Sequence, residues 1–200
     1  KGQSSISSTK KLVKKILFLI LLFQTSAFSQ DLGKAYFAGG CFWCMEESFE
    51  KKEGVLEVIS GYSGGTTKNP TYKEVTYGKT GHLETIEIIF DKDKINYKDL
   101  LNHFWKNIDP FDAYGQFCDK GYSYRSAAFY KNDQQKDLIE KSKLKLEKKF
   151  NKKIVTYVRK FDKFYEAEDS HQDYYEVKFL NYLRYKKACG REETLSRIWN

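Results

Sequence analysis

Lys34-Ala-Tyr-Phe-Ala-Gly-Gly-Cys-Phe-Trp-Cys-Met-Glu-Glu-Ser-Phe-Glu-Lys-Lys52 changes its period in the middle. Ala35–Ala38 reads as a short buried strand, and Gly39-Gly40 break it. From Cys41 to about Lys52 the spacing of Phe42, Met45 and Phe49 puts three large apolar side chains on one helical face. Val55–Ser60 then reads as a second strand, followed by a glycine-rich loop from Gly61 to Pro70. Leu83–Phe90 is the clearest strand, its alternation placing Glu84, Ile86, Ile88 and Phe90 on one face. Asn96 can cap a helix with the stripe Tyr97, Leu100, Leu101, Phe104 and Ile108, which Asp109-Pro110 stops. A long irregular stretch, Phe111–Tyr124, precedes a strand at Arg125–Tyr130. A Lys-rich helix from Asp133 follows, with Leu138, Ile139, Ser142, Leu146 and Phe150 inward, then a strand at Ile154–Val158 and helical chain from Asp173. These strands lack the continuous apolar runs of a parallel sheet. The expected class is therefore α+β rather than doubly wound. It is a two-layer sandwich of a mixed, mainly antiparallel sheet with helices, a ferredoxin-like plait with a long irregular C-terminal part.

Fifteen Tyr, fifteen Phe and three Trp against two Pro supply a real core in 200 residues, which excludes a disordered chain. The first thirty residues differ from the rest. Lys10-Lys11 and Lys14-Lys15 lead into an apolar run, Ile16–Phe23, and a small-residue exit in which Ala27 and Ser29 stand two apart. That order predicts a secretory signal peptide over residues 1–29, hence an exported protein, periplasmic or secreted. The run is too short for a stable membrane span.

The chain carries 35 Lys+Arg and 27 Asp+Glu, a net +8. Residues 1–29 hold five of the lysines and no acid, leaving thirty bases against 27 acids, a net +3, in the remainder. A near-balanced surface with Lys and Glu interleaved points away from nucleic acid as a partner.

Four cysteines remain: Cys41, Cys44, Cys118 and Cys189. Cys41 follows two glycines into the first turn of a helix, where free amides and the helix dipole favour a thiolate, the nucleophilic form. Cys44 lies three residues on, on the same face and within disulfide reach. Glu46 and Glu47 oppose thiolate formation. The bland readings are a buried structural disulfide or half a metal site. With no second Cys-x-x-Cys and no nearby His pair, no metal is expected. Glu84 sits on a core-facing strand surface, where desolvation would make it a general acid, or at a strand end, where it would be a surface carboxylate. The stretch Phe111–Ser126 concentrates Asp112, Tyr114, Asp119, Tyr122, Tyr124 and Arg125. Its phenols suit a site that holds a polar oxygen beside apolar carbon.

Taken together these segments resemble the A-type peptide methionine sulfoxide reductases. Gly39-Gly-Cys-Phe-Trp-Cys44, Gly61-Tyr-Ser-Gly-Gly65, Asn69-Pro-Thr-Tyr72, Gly81-His-Leu-Glu84, Asp109-Pro110, Tyr124-Arg-Ser126 and Ala167-Glu-Asp-Ser-His171-Gln172 occur in that family's order. They span about Lys34 to Tyr175, within an expected catalytic domain of residues 34–200. The resemblance implies that Cys41 attacks the sulfoxide sulfur and that Phe42 and Trp43 wall the pocket for the S-methyl group. It further implies that Glu84 protonates the oxygen, that Tyr72 and Tyr124 hydrogen-bond it, and that Asp119 supports them. His171 is expected to be a hydrogen-bonded structural residue. Substrate would be the S epimer of methionine sulfoxide, free or in oxidised protein. The reductant would be of the thioredoxin type, with no metal or organic cofactor and a monomeric enzyme.

Many relatives carry Gly where this chain has Cys44, and Asn where it has Cys118. Cys44 is expected to resolve the sulfenic acid, with Cys189 as the alternative or a second relay. No role is assigned to Cys118. Two other readings use the cysteines alone. A thioredoxin-like dithiol–disulfide oxidoreductase would need a proline opposite Cys41-x-x-Cys44, and the only prolines are Pro70 and Pro110. A secreted binding protein would tie all four cysteines into two structural disulfides.

Overall fold

The computed structural model describes residues 31–200; the signal peptide expected over residues 1–29 lies outside them. The strands are β1 (Leu32–Ala38), β2 (Val55–Ser63), β3 (Leu83–Asp91), β4 (Gly115–Gln116), β5 (Asp119–Lys120), β6 (Ala127–Tyr130), β7 (Tyr157–Lys160) and β8 (Phe164–Glu166). The helices are α1 (Phe42–Glu50), α2 (Tyr72–Tyr77), α3 (Tyr97–Lys106), α4 (Asp133–Phe150), α5 (Tyr174–Val177), α6 (Phe179–Cys189) and α7 (Arg191–Trp199). Six strands form one mixed sheet in the order β7-β6-β1-β3-β2-β8, and β4 pairs with β5 separately. Every pairing in the large sheet is antiparallel except β6 with β7. The fold is α+β.

Side-chain alternation along β1 divides the core. Ala35 and Phe37 join the large cluster with Phe42, Met45 and Phe49 of α1 and Leu100, Leu101 and Phe104 of α3. Tyr36 and Ala38 face the opposite side with Leu83, Ala127 and Phe129, over which Phe161 and Phe164 pack. The period of two in a strand makes this division. β3 sits between β1 and β2, and core side chains pack on both its faces, so even Glu84 is only 2 % exposed. The register sets Tyr62 opposite Glu84 and Phe37 opposite Ile86.

The turn into α1 explains the paired glycines. Gly40 has φ +82, and a Cβ there would lie 2.5 Å from the Gln116 Cβ. The close approach is thus made by Gln116, which is buried and exchanges hydrogen bonds with the backbone of Asp109. The loop expected from Gly61 begins later, because Gly61–Ser63 complete β2 and pair with β8. A short helix, α2, follows that loop, where the sequence shows no element. Its Thr71 and Glu74 cap each other's backbone amides, a box that stabilises a short first turn. The strand expected at Ile154–Val158 lies further along, at Tyr157–Lys160. The C-terminal part is less irregular than expected. Only the stretch between β8 and α5 is loop-like, and three helices follow it.

Candidate active site

Cys41 is the N-cap of α1, and its carbonyl accepts the amides of Cys44 (3.2 Å) and Met45 (3.3 Å). The amide of Phe42, left free at the helix start, donates to Oε2 of Glu84 at 3.0 Å. That bond joins α1 to β3 and fixes the carboxyl beside the cysteine. Oε1 of Glu84 is buried with no hydrogen-bond partner among the described residues. Burial pushes the Glu84 carboxyl well above the carboxylate range, and nearby Asp119 pushes the same way against the Phe42 amide. Of the two readings of Glu84, the desolvated one holds.

Around Cys41 and Glu84 stand Phe42, Trp43, Tyr72, Asp119, Tyr124 and Tyr185, enclosing about 60 Å³. Burial, with Glu84 close by, pushes the phenols of Tyr72 and Tyr124 up, so both remain donors. Asp119 is also pushed up, chiefly by burial, and its carboxyl accepts the hydroxyl of Tyr185.

The structure therefore brings together Cys41, Phe42, Trp43, Tyr72, Glu84, Asp119 and Tyr124, all named from sequence. Of the polar residues in Phe111–Ser126, only Asp119 and Tyr124 reach the pocket. Asp112 bridges to Lys120, Tyr114 is exposed, Arg125 donates to Tyr157, and Tyr122 accepts from Arg159. Tyr185 was not singled out, because a tyrosine in an aromatic-rich helix carries no distinguishing signal. Glu168 was also missed as a positioning group. It accepts from the Tyr72 amide (2.8 Å) and the Tyr62 hydroxyl (2.9 Å), which anchors α2 against β2.

His171 departs from its expected hydrogen-bonded role. Its ring stacks on Tyr72 (4.3 Å between centroids) and lies near-parallel to Trp43 (5.7 Å). Its Nδ1 is buried without a hydrogen-bond partner among the described residues, and burial lowers its pKa, which favours the neutral ring. Trp43 stacks in turn on Tyr174 at 3.8 Å, so the pocket wall is set by aromatic packing.

Cys44 lies outside the pocket, beneath α6, in a cluster with Cys41 and Tyr182. Both thiols are free, and both are buried, 5 % exposed for Cys41 and 4 % for Cys44. Their shared hydrogen bond, together with the positive charge of Arg191, brings Cys44 down to about 7 against burial. Burial pushes Cys41 up, and the same shared bond adds to it. Burial thus works against the thiolate that the helix start favours at Cys41. Neither acid next to them has the effect expected. Burial pushes Glu46 up to about 8, leaving it neutral near pH 7. Against burial, Lys186, Lys51 and Tyr182 hold Glu47 at about 2 and answer its charge.

Cys118 and Cys189 form a disulfide with a Cα–Cα distance of 4.9 Å across 71 residues. It ties the β4–β5 hairpin, which carries Asp119, to the end of α6, which carries Tyr185. Cys189→Ser is expected to lower unfolding stability by about 2–4 kcal/mol. Urea unfolding without reductant measures this, and dithiothreitol should bring the parent to the same value.

The sequence profile of the family described as "Peptide methionine sulfoxide reductase" matches residues 33–200. The chain is 48% identical over 172 residues to "Peptide methionine sulfoxide reductase MsrA" of Listeria monocytogenes serotype 4b (strain CLIP80459), covering 85% of this chain and 97% of that one. It is 49% identical over 167 residues to the protein of the same name in Bacillus subtilis (strain 168), covering 82% and 94%. Among solved structures it is similar to methionine sulfoxide reductase A of Corynebacterium diphtheriae, with TM-score 0.67, 30% identity, and 74% and 76% of the two chains covered. It is likewise similar to reduced Mxr1 from Saccharomyces cerevisiae, with TM-score 0.69, 28% identity, and 73% and 85% covered.

Proposed function

The chain belongs to the peptide methionine sulfoxide reductase family, and from that premise we propose which of its residues carry each step. The enzyme reduces peptide-methionine (S)-sulfoxide to methionine and recycles through a cysteine disulfide. The observation that carries the assignment is the buried pairing of Cys41 with a neutral, half-unpartnered Glu84 at the start of α1.

Sulfoxide oxygen leaves sulfur only when it is protonated. Phe42 and Trp43 receive the S-methyl group, and Tyr72 and Tyr124 donate to the oxygen. Cys41 attacks the sulfur as thiolate while Glu84 gives the oxygen its proton. The oxygen then passes from the substrate sulfur to Cys41: a Cys41 S–O bond forms as the substrate's S–O bond and the new S–S bond both break, so methionine leaves and Cys41 is a sulfenic acid. Asp119 holds Tyr185 over the reacting sulfur. Cys44 then attacks Cys41, hydroxide departs as water on taking a proton, and a Cys41–Cys44 disulfide remains.

A thioredoxin-type dithiol reduces that bond, and the oxidised partner is a methionine in peptide or protein. Residues 34–200 are the catalytic domain. The basic, apolar and small-residue order of residues 1–29 supports export. The working unit proposed is a monomer. The strand order β6-β1-β3-β2, with α1 and α3 as crossovers, supports the plait.

Peptide mass mapping after one equivalent of the S-sulfoxide, without reductant, tests the assignment of sulfurs. A Cys41–Cys44 link is expected, with Cys118–Cys189 unchanged. A Cys41–Cys189 link in its place would overturn Cys44 as the resolving thiol.

A further inference from the structure

Glu46 and Glu50 stand four apart in α1, so the helix puts both carboxyls on one face. Asp173, just before α5, is folded against them, and its amide donates to Oε1 of Glu46 at 3.2 Å. One carboxyl oxygen from each of the three lies within 4.8 Å of the others. Glu176 adds its charge to that of Glu50. Among the described residues no Lys or Arg forms an ion pair with any of these four acids, although Glu47 on the same helix is paired with both Lys51 and Lys186. Glu46 is 0 % exposed, and its Oε2 has no hydrogen-bond partner among the described residues. The hydroxyl of Ser60, which acts on the same carboxyl from β2, is likewise buried without a partner among them. Two buried polar oxygens left open at one place call for a ligand. A proton on Glu46 answers its charge near pH 7 but brings Oε2 no partner. Glu50 is half-buried and Asp173 exposed, so the group of oxygens opens to solvent on one side.

We propose that Glu46, Glu50 and Asp173 form a calcium site behind the wall of the catalytic pocket, with Oε2 of Glu46 as its buried ligand. The donors are all oxygen, which suits a hard cation rather than zinc or copper. Calcium takes six to eight oxygens at about 2.3–2.6 Å in an adaptable arrangement, so one ion spans oxygens spaced as these are. Magnesium demands a near-ideal octahedron at about 2.0–2.1 Å, which carboxyls from two separate segments are less suited to give. The hydroxyl of Tyr175 orients the Glu50 carboxyl, and water completes the shell on the open side. On binding, the cation displaces the proton of Glu46. The ion supplies no chemistry to the reduction, since none of its ligands lines the pocket. Its effect is on position. It ties α1, which carries Trp43, to the segment that holds Tyr174 stacked on Trp43.

Calorimetric titration of the EDTA-treated protein with calcium chloride tests the site, alongside its melting temperature at each calcium concentration. One ion per chain is expected, with a Kd of about 10⁻⁴ to 10⁻³ M, the range of extracellular calcium modules. The melting temperature should rise with calcium, as it does for any ligand of the folded state alone. Glu50→Gln and Asp173→Asn should each weaken binding about tenfold or more, since each removes a charged ligand. Neither change threatens the fold. Gln keeps an acceptor for the Tyr175 hydroxyl, and Asn tolerates the left-handed backbone at Asp173, φ +50. Both variants should therefore melt close to the parent in EDTA. No heat and no rise in melting temperature at about 10 mM calcium, well above that Kd range, would overturn the proposal. Unchanged affinity in both variants would overturn it too, because the ion would then lie elsewhere. Equal affinity for magnesium and calcium would do the same, marking diffuse attraction to an acidic surface. The titration involves no turnover, so its failure leaves the assignment of the sulfurs untouched.

Discussion

Glu84→Gln is expected to slow the first reduction of methionine (S)-sulfoxide by about 10²- to 10⁴-fold, the range for removing a positioned general acid. Gln keeps the size of the side chain and an acceptor for the Phe42 amide, so the loss is that of the proton rather than of the fold. The pH profile carries a second signature. The parent needs Glu84 protonated, so its rate falls as pH rises through the raised pKa of the folded protein, and this limb should vanish in the variant. Stability moves the other way. The folded state holds a proton on Glu84 that the unfolded chain has already released. Parent stability is therefore lost as pH climbs from the ordinary carboxyl value, about 4.3, toward the folded one. Urea unfolding should find Glu84→Gln more stable than the parent near pH 7, with the difference closing toward pH 4. Single-turnover methionine release at the parent rate, with the alkaline limb unchanged, would sink the assignment of Glu84.

Much of this site is legible in the chain because two local periods point at it. The break at Gly39-Gly40 places Cys41 at a helix start, and the alternation of β3 turns Glu84 toward Ile86 and Ile88. These are short-range patterns that the tertiary fold only had to bring side by side. What stayed hidden depends on partners far apart in sequence. Tyr185 reaches Cys41 and Asp119 only because α6 folds back over α1. Arg191 is an ordinary helix-start residue until the ends of β1 and α3 close round it. The C-terminal strand β8 was unreadable for a different reason. Three residues are too few to show a period, and only the pairing of Phe164–Glu166 with Gly61–Ser63 makes them a strand. His171 shows the limit of motif reading: its position is dictated by the rings of Tyr72 and Trp43 rather than by a hydrogen bond.

The two buried cysteines should separate under substitution. Cys41→Ser is expected to release no methionine, since a serine hydroxyl in the same cap is a far weaker nucleophile than a thiolate. Cys44→Ser should release about one methionine per enzyme and then stop when a thioredoxin-type protein is the reductant. The reason is access. The sulfenic acid would sit on Cys41, 5 % exposed, in the wall of a small pocket, where a small thiol reaches more readily than a folded protein. Cys118 and Cys189 are joined to each other and have no free thiol to offer. Three residues along α1, Cys44 is the sulfur that can reach without unfolding the helix end. Dithiothreitol should therefore restore slow turnover to Cys44→Ser, where the protein reductant does not. The measurement is methionine formed against time with each reductant, alongside capture of the stalled sulfenic acid by a 1,3-dione. Sustained protein-driven turnover by Cys44→Ser at the parent rate, with no adduct formed, would show that the recycling electrons take another path.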